Sequence, residues 1–101
     1  MNLDAAIKEI VTEKFNIGDY FDSHTVIDEL QSKEYREIYM HGFPQNYTIG
    51  QYHGMIAQII RDSGLVEAVK IAGQKILVKT ATVFDDLKEN HLWKRIEPVQ
   101  N

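Results

Sequence analysis

Hydrophobic residues recur at helical spacing in the segment that runs from Thr48 to Gly64. Thr48 and Gln51 have the three-residue spacing of a capping box, which predicts the start of a helix. Gly64 is typical of the residue that ends one. The apolar positions between them form one stripe: Ile49, Tyr52, Ile56, Ile59 and Ile60.

The opposite face of this helix is polar, and it carries Gln51, Gly54, Gln58 and Arg61. Two amides and an arginine, with a glycine that permits close backbone approach, suit a helix that lies in a DNA groove. The same residues also suit an ordinary solvated face. The pattern alone leaves both interpretations open.

Two further helices are expected before this one. Apolar spacing predicts a first helix from about Asp4 to Phe15, ended by 16–18. A short extended piece follows at 19–21. Asp22 or Ser23 then caps a second helix, which continues or restarts through 33–40.

Residues after Gly64 predict a β-hairpin and a last helix. LVEAVK alternates apolar and polar residues, 71–74 form the turn with Gly73 at positive φ, and KILVKTAT returns. Three residues near the hairpin tip are either solubilising or suited to phosphate contact: Lys70, Gln74 and Lys75. Thr82 with Asp85 predicts a cap that opens a C-terminal helix over about 82–96, with acids early and bases late.

The connector between the second and third predicted helices is rich in aromatic residues: Tyr35, Tyr39, Phe43 and Tyr47. They are interpreted as a satellite core under a loop or, alternatively, as a platform on which bases stack. His41 and His53 flank the connector. Each is either a plain surface or half-buried imidazole or a group in a pH-sensitive hydrogen bond or phosphate contact.

Composition bounds the class of protein. The chain has 101 residues, 44% hydrophobic and 26% charged, which predicts one globular domain over 1–101. Without cysteine it has no disulfide or thiolate metal site. No apolar run is long enough to span a membrane, and the N-terminus carries acids early, unlike a signal peptide. We therefore expect a cytoplasmic protein with no membrane partner.

The net charge of −4 argues against nucleic acid, because phosphate neutralisation dominates such affinity. The charge is uneven, however. The first 37 residues have four Lys/Arg and nine Asp/Glu (−5), whereas 38–80 have four and two (+2). The basic excess lies on the third helix and the hairpin, and its small size favours binding as a dimer.

Catalytic and metal motifs are few. The sequence contains no phosphate-binding loop, dinucleotide fingerprint or zinc-protease motif. Asp22, Ser23 and His24 are better interpreted as helix caps than as a triad. His24 and Asp28 lie one turn apart, but two ligands do not make a metal site. We expect no enzyme, metal site or cofactor.

The order of helix, strand, helix, connector, helix and hairpin resembles the winged helix-turn-helix superfamily over about residues 3–80. The segments that carry the resemblance are YFDSHTVIDEL, IGQYHGMIAQIIRDSGLVE and KIAGQKILV. The expected fold is thus mainly α with a small β-hairpin (α+β), a winged helix-turn-helix with an extra C-terminal helix.

The resemblance implies that the third helix enters the major groove and that the hairpin, as the wing, touches backbone or minor groove. Carried onto this sequence, the DNA-binding residues are Asn46, Tyr47, Thr48, Gln51, Gly54, Gln58 and Arg61 on the helix and Lys70, Gln74 and Lys75 on the wing. We expect a homodimer that binds double-stranded DNA in transcriptional or replication control. The alternative is a protein-binding adaptor that uses the acidic first third or the aromatic connector.

Overall fold

A computed structural model describes the backbone of residues 1–71, 74–75, 77–81 and 87–98, and the side chains of 1–69 and 92–98. Its elements, in chain order, are α1 (Leu3–Lys14), β1 (Tyr20–Asp22), α2 (Ser23–Leu30), α3 (Arg36–His41), α4 (Ile49–Asp62), β2 (Val66–Ala68), β3 (Lys70–Ile71), β4 (Gln74–Lys75), β5 (Leu77–Ala81) and β6 (Leu87–Arg95). The α+β class predicted from the sequence is confirmed.

Side-chain caps start three of the helices. Asn2 Oδ1 accepts a hydrogen bond from the Ala5 amide at the start of α1 (2.8 Å), and Asp22 Oδ1 accepts one from the Thr25 amide at the start of α2 (2.8 Å). Each bond satisfies an amide that has no partner within its own helix. The local signals in the sequence therefore place α1, α4 and the start of α2 to within about one residue, whereas the end of α2 was left open.

Helices α1, α2 and α4 pack around one core and against one face of the sheet. The helices contribute fully buried aliphatic residues such as Ile7, Val26 and Ile56. The sheet contributes Phe21 and Trp93, which are register partners on β1 and β6. Phe15 stacks on Phe21, with ring centroids 4.0 Å apart.

Strand β6 is the centre of the sheet, which is a correction to the predicted helix over 82–96. Its second half lies antiparallel between β1 and β2, with the pairs Phe21↔Trp93 and Val66↔Arg95, and its first half pairs with β5. A strand at this position provides hydrogen-bond partners for the backbones of both β1 and β2. It also buries Trp93, which the predicted helix would place at its margin. The predicted cap at Thr82 and Asp85 lies outside the described residues.

The pairing of the hairpin strands also differs from the prediction. The strand 65–70 was expected to pair with the strand 75–82, but β2 pairs with β6 instead. Among the residues that the structure describes, the pairs Lys70↔Lys75 and Ile71↔Gln74 join β3 to β4. A second and longer hairpin, β5 with the first half of β6, follows it. The expected positive φ of Gly73 lies outside the described residues.

Candidate nucleic-acid interface

Helix α4 begins with the predicted capping box. Thr48 Oγ1 accepts from the Gln51 amide at 3.1 Å, and Gln51 Oε1 accepts from the Thr48 amide at 2.8 Å. Both reciprocal bonds are present, so the first turn is fixed by its own side chains. The helix ends before Gly64, whose φ of +78° is a left-handed conformation that side chains with a Cβ disfavour.

The predicted apolar stripe anchors α4 in the core. Tyr52, Ile56 and Ile60 are each 0% exposed. Burial of such side chains stabilises the fold by about 1.5–3 kcal/mol each. The Tyr52 hydroxyl donates to the backbone carbonyl of Tyr39 at 2.6 Å, and burial raises the pKa of Tyr52 to about 12. One side of α4 is therefore held rigidly.

The opposite side of α4 is exposed along its whole length. Gln51, Gly54, Gln58 and Arg61 are all exposed, and a Cβ placed on Gly54 would meet no atom within 4 Å. The structure thus brings these four predicted residues together on one open face, where the backbone at Gly54 can be approached closely.

Three side chains at the C-terminal end of this face form a hydrogen-bonded group. Arg61 donates to Gln58 Oε1, and Gln58 Nε2 donates to Asp62 Oδ2 at 2.7 Å. Arg61 Nε also lies 3.9 Å from Asp62 Oδ1. A ligand that uses Gln58 or Arg61 must therefore replace bonds that Asp62 and its neighbours make in the free protein.

The residues before α4 lie at the surface as well. Asn46, Tyr47 and Thr48 are exposed, and Tyr47 keeps 43% of its surface accessible. The side chain of Thr48 already serves the cap. These three residues border the N-terminal end of the polar face of α4.

The structure describes the backbone pairing of β3 with β4 in the basic hairpin. Lys70 and Lys75 are register partners, and Gln74 is paired with Ile71 next to them. The side chains of these three predicted wing residues lie outside the described part of the chain. Their contact with phosphate stays a prediction, as does the DNA-binding role of the residues on α4.

The aromatic connector packs into the main core, not into the separate satellite core that the sequence predicts. Tyr35 and Tyr39 are 3% and 9% exposed, and the ring of Phe43 lies 4.5 Å from that of Tyr52. Tyr47 alone of the four predicted aromatics is exposed. Buried rings cannot stack on bases, so the stacking-platform interpretation is wrong for Tyr35 and Tyr39.

His53 lies half-buried on α4 and makes a hydrogen bond to α3. Its Nε2 is 2.8 Å from the Tyr39 hydroxyl, which also accepts from Gln31 Nε2 at 3.3 Å. Burial and the nearby His24 lower the pKa of His53, and Asp28 partly offsets them. His41, by contrast, is exposed.

The sequence does not predict two buried contacts that residues of β6 make. Ser23 is buried, and its Oγ accepts from Trp93 Nε1 at 2.8 Å across 70 positions of the chain. Arg95 is 6% exposed and donates to backbone carbonyls, including that of Leu65 at 3.4 Å. The sequence carries no local signal for these contacts, because both depend on where β6 lies.

Comparison with known proteins finds no matching family model, curated protein or solved structure. Within the described ranges no helix has the length and apolar character needed to cross a membrane. In the same ranges no three His, Asp or Glu side chains come together as a metal-ligand set.

Proposed function

We propose that this chain is a winged-helix protein that binds duplex DNA, with the exposed face of α4 in the major groove and the hairpin 70–75 against the backbone. Helices α1 to α4, with β1 between the first two, and the antiparallel strands that follow them are compatible with that fold. The observation that carries the proposal is the two-sided character of α4. Tyr52, Ile56 and Ile60 are fully buried on one side, whereas Gln51, Gly54, Gln58 and Arg61 are exposed on the other.

The chemistry of the bare face suits duplex DNA. Amide side chains such as Gln58 pair with adenine edges, and arginine pairs with guanine edges. Arg61 is the one Lys or Arg residue of α4, so electrostatic affinity per chain is small, and a homodimer on paired half-sites supplies the remainder. The proposed role is transcriptional or replication control in the cytoplasm.

The test is fluorescence anisotropy of short labelled duplexes at several salt concentrations. Arg61→Ala is compared with Arg36→Ala, which removes the same charge from an exposed position on α3. If α4 reads bases, Arg61→Ala costs about 1–3 kcal/mol of binding, and Arg36→Ala costs little. Equal losses in both variants, or no binding by the parent protein at low salt, would contradict the proposal.

A second candidate function is protein binding by the region around the connector. Met40 is 64% exposed and Tyr47 43% exposed, so both side chains are accessible to a partner. Tyr39 cannot make the contact directly because it is buried. If the connector region binds a protein, the double variant Met40→Ser/Tyr47→Ser should abolish capture of that partner. Arg61→Ala should leave the capture intact.

A further inference from the structure

A chain of side-chain hydrogen bonds joins three helical segments beside the first half of α4. Gln31, at the C-cap of α2, donates to the Tyr39 hydroxyl on α3, and that hydroxyl bonds to His53 Nε2 on α4. A separate bond, from Tyr52 Oη to the Tyr39 carbonyl, also joins α4 to α3. Tyr39 therefore connects α3 to α4 through both its side chain and its backbone.

Counting donors and acceptors gives one arrangement of protons in which every group in this chain has a partner. The Tyr39 oxygen accepts from Gln31, so its own proton is available for one acceptor. His53 Nε2 is that acceptor only when the imidazole is neutral with its proton on Nδ1. A protonated His53 would be a second donor to the Tyr39 oxygen, and the Tyr39 proton would lose its acceptor. Because Tyr39 is only 9% exposed, water cannot readily take the place of the lost acceptor.

The groups around His53 come from each of the three helices. From α2, His24 and Asp28 lie near it, with His24 Nε2 3.5 Å from Asp28 Oδ1. From α3 the neighbour is Tyr39, and from α4 itself it is Tyr52. A protonated His24 disfavours protonation of His53, because the two positive charges repel each other. The Asp28 carboxylate favours protonation of His53.

We propose that His53 is a pH-sensitive switch that holds α3 against the N-terminal half of α4 when it is neutral and releases Tyr39 when it is protonated. The switch is a property of the fold and goes beyond the proposed DNA binding. Through this switch the packing of α3 on α4 depends on pH, and so does the position of the exposed face of α4.

The direction of the effect follows from linkage. The fold lowers the pKa of His53 below its ordinary 6.5, so the unfolded chain binds the proton more readily than the folded chain. The stabilisation is fully present above pH 6.5 and is lost as the pH falls through the lowered pKa. Each pH unit in that window changes the unfolding constant by at most about tenfold.

The experiment is an NMR titration of the four histidine side chains in the intact protein, with Tyr39→Phe as the diagnostic variant. We expect His53 to show the Nδ1–H tautomer and to titrate below 6.5, and the amide signals of 36–42 to shift with the same midpoint. In Tyr39→Phe the titration of His53 should move toward the ordinary value, because the donor that favours neutral imidazole is gone.

Unfolding by urea at several pH values gives the second measurement. Between pH 7 and 5 the unfolding constant of the parent protein should rise more than that of His53→Gln, by at most about tenfold for each pH unit. His41→Gln, at an exposed site, should follow the parent. The proposal is overturned if His53 carries its proton on Nε2, titrates at or above 6.5, or is unaffected by Tyr39→Phe. It is equally overturned if 36–42 do not follow its titration.

Discussion

The Tyr52 hydroxyl donates a buried 2.6 Å hydrogen bond to the backbone carbonyl of Tyr39. That carbonyl lies near the C-terminus of α3, where the Phe43 amide turns instead to Met40 O. The carbonyls of a last helical turn lack partners within the helix. A side chain from α4 therefore completes the end of α3, and it ties the aromatic connector to the helix that carries the candidate interface.

Tyr52→Phe should destabilise the protein by about 1–3 kcal/mol, because the buried Tyr39 carbonyl loses its partner while the ring stays in place. The free energy of unfolding in urea measures the change. Tyr47→Phe removes a hydroxyl from an exposed ring and should change stability by less than about 0.5 kcal/mol. Similar losses in the two variants would show that the Tyr52–Tyr39 bond contributes little.

Ser23→Ala should cost about 1–3 kcal/mol, because it breaks the buried bond to Trp93 that joins the start of α2 to β6. Ser32 provides a matched control: its Oγ is buried and makes no hydrogen bond to any residue that the structure describes. Ser32→Ala should be neutral or slightly stabilising. Thermal unfolding of the two variants side by side checks the difference, and a neutral Ser23→Ala would contradict the placement of β6.

Two glycines should respond to alanine in opposite directions. At Gly42 a new Cβ would lie 3.0 Å from Tyr52 Oη and 3.2 Å from both Ile38 O and Leu3 Cδ2. This crowding should destabilise the fold by about 1–3 kcal/mol. At Gly54, inside α4 with open space around it, alanine should stabilise the fold by about 0.5–1 kcal/mol. Urea unfolding measures both, and a stabilised Gly42→Ala would contradict the close packing of α3 on α4.

The two proposed contact types should separate in DNA-binding data. Gln58→Ala should relax sequence preference at one base pair, because an amide reads a base edge. Lys75→Ala should weaken all sequences alike and lower the slope of log affinity against log salt by about 1. Binding assays on a panel of single-base variants, repeated at several salt concentrations, measure both effects. An unchanged salt slope in Lys75→Ala would contradict the assignment of the hairpin as the wing.

Local signals in the sequence were sufficient for the helices that begin with a cap. Thr48 and Gln51 start α4 through reciprocal hydrogen bonds across three residues, and Gly64, at positive φ, follows its end. Of the five predicted stripe residues, Tyr52, Ile56 and Ile60 are fully buried, and Ile49 and Ile59 are partly buried. The polar face follows from the same periodicity. This part of the candidate site could therefore be predicted from the sequence.

The C-terminal strand could not be predicted in the same way. The predicted helix 82–96 has Asp85, Asp86 and Glu89 early and Lys94 and Arg95 late, as a helix dipole prefers, and its short apolar spacing does not separate helix from strand. The strand conformation of β6 depends on partners far away in sequence, such as Phe21, which pairs with Trp93. For the same reason the sequence did not reveal that β2 pairs with β6, or that Ser23 bonds to Trp93.

The most direct test of the proposed DNA contact is a two-dimensional ¹H–¹⁵N NMR titration of the intact protein with duplex DNA. The account predicts that amide signals shift along the exposed face of α4, at Gln51, Gly54, Gln58 and Arg61, and in the hairpin 70–75. The signals of α1 should remain in place. No shifts at low salt, or shifts confined to α1 and the connector, would contradict it.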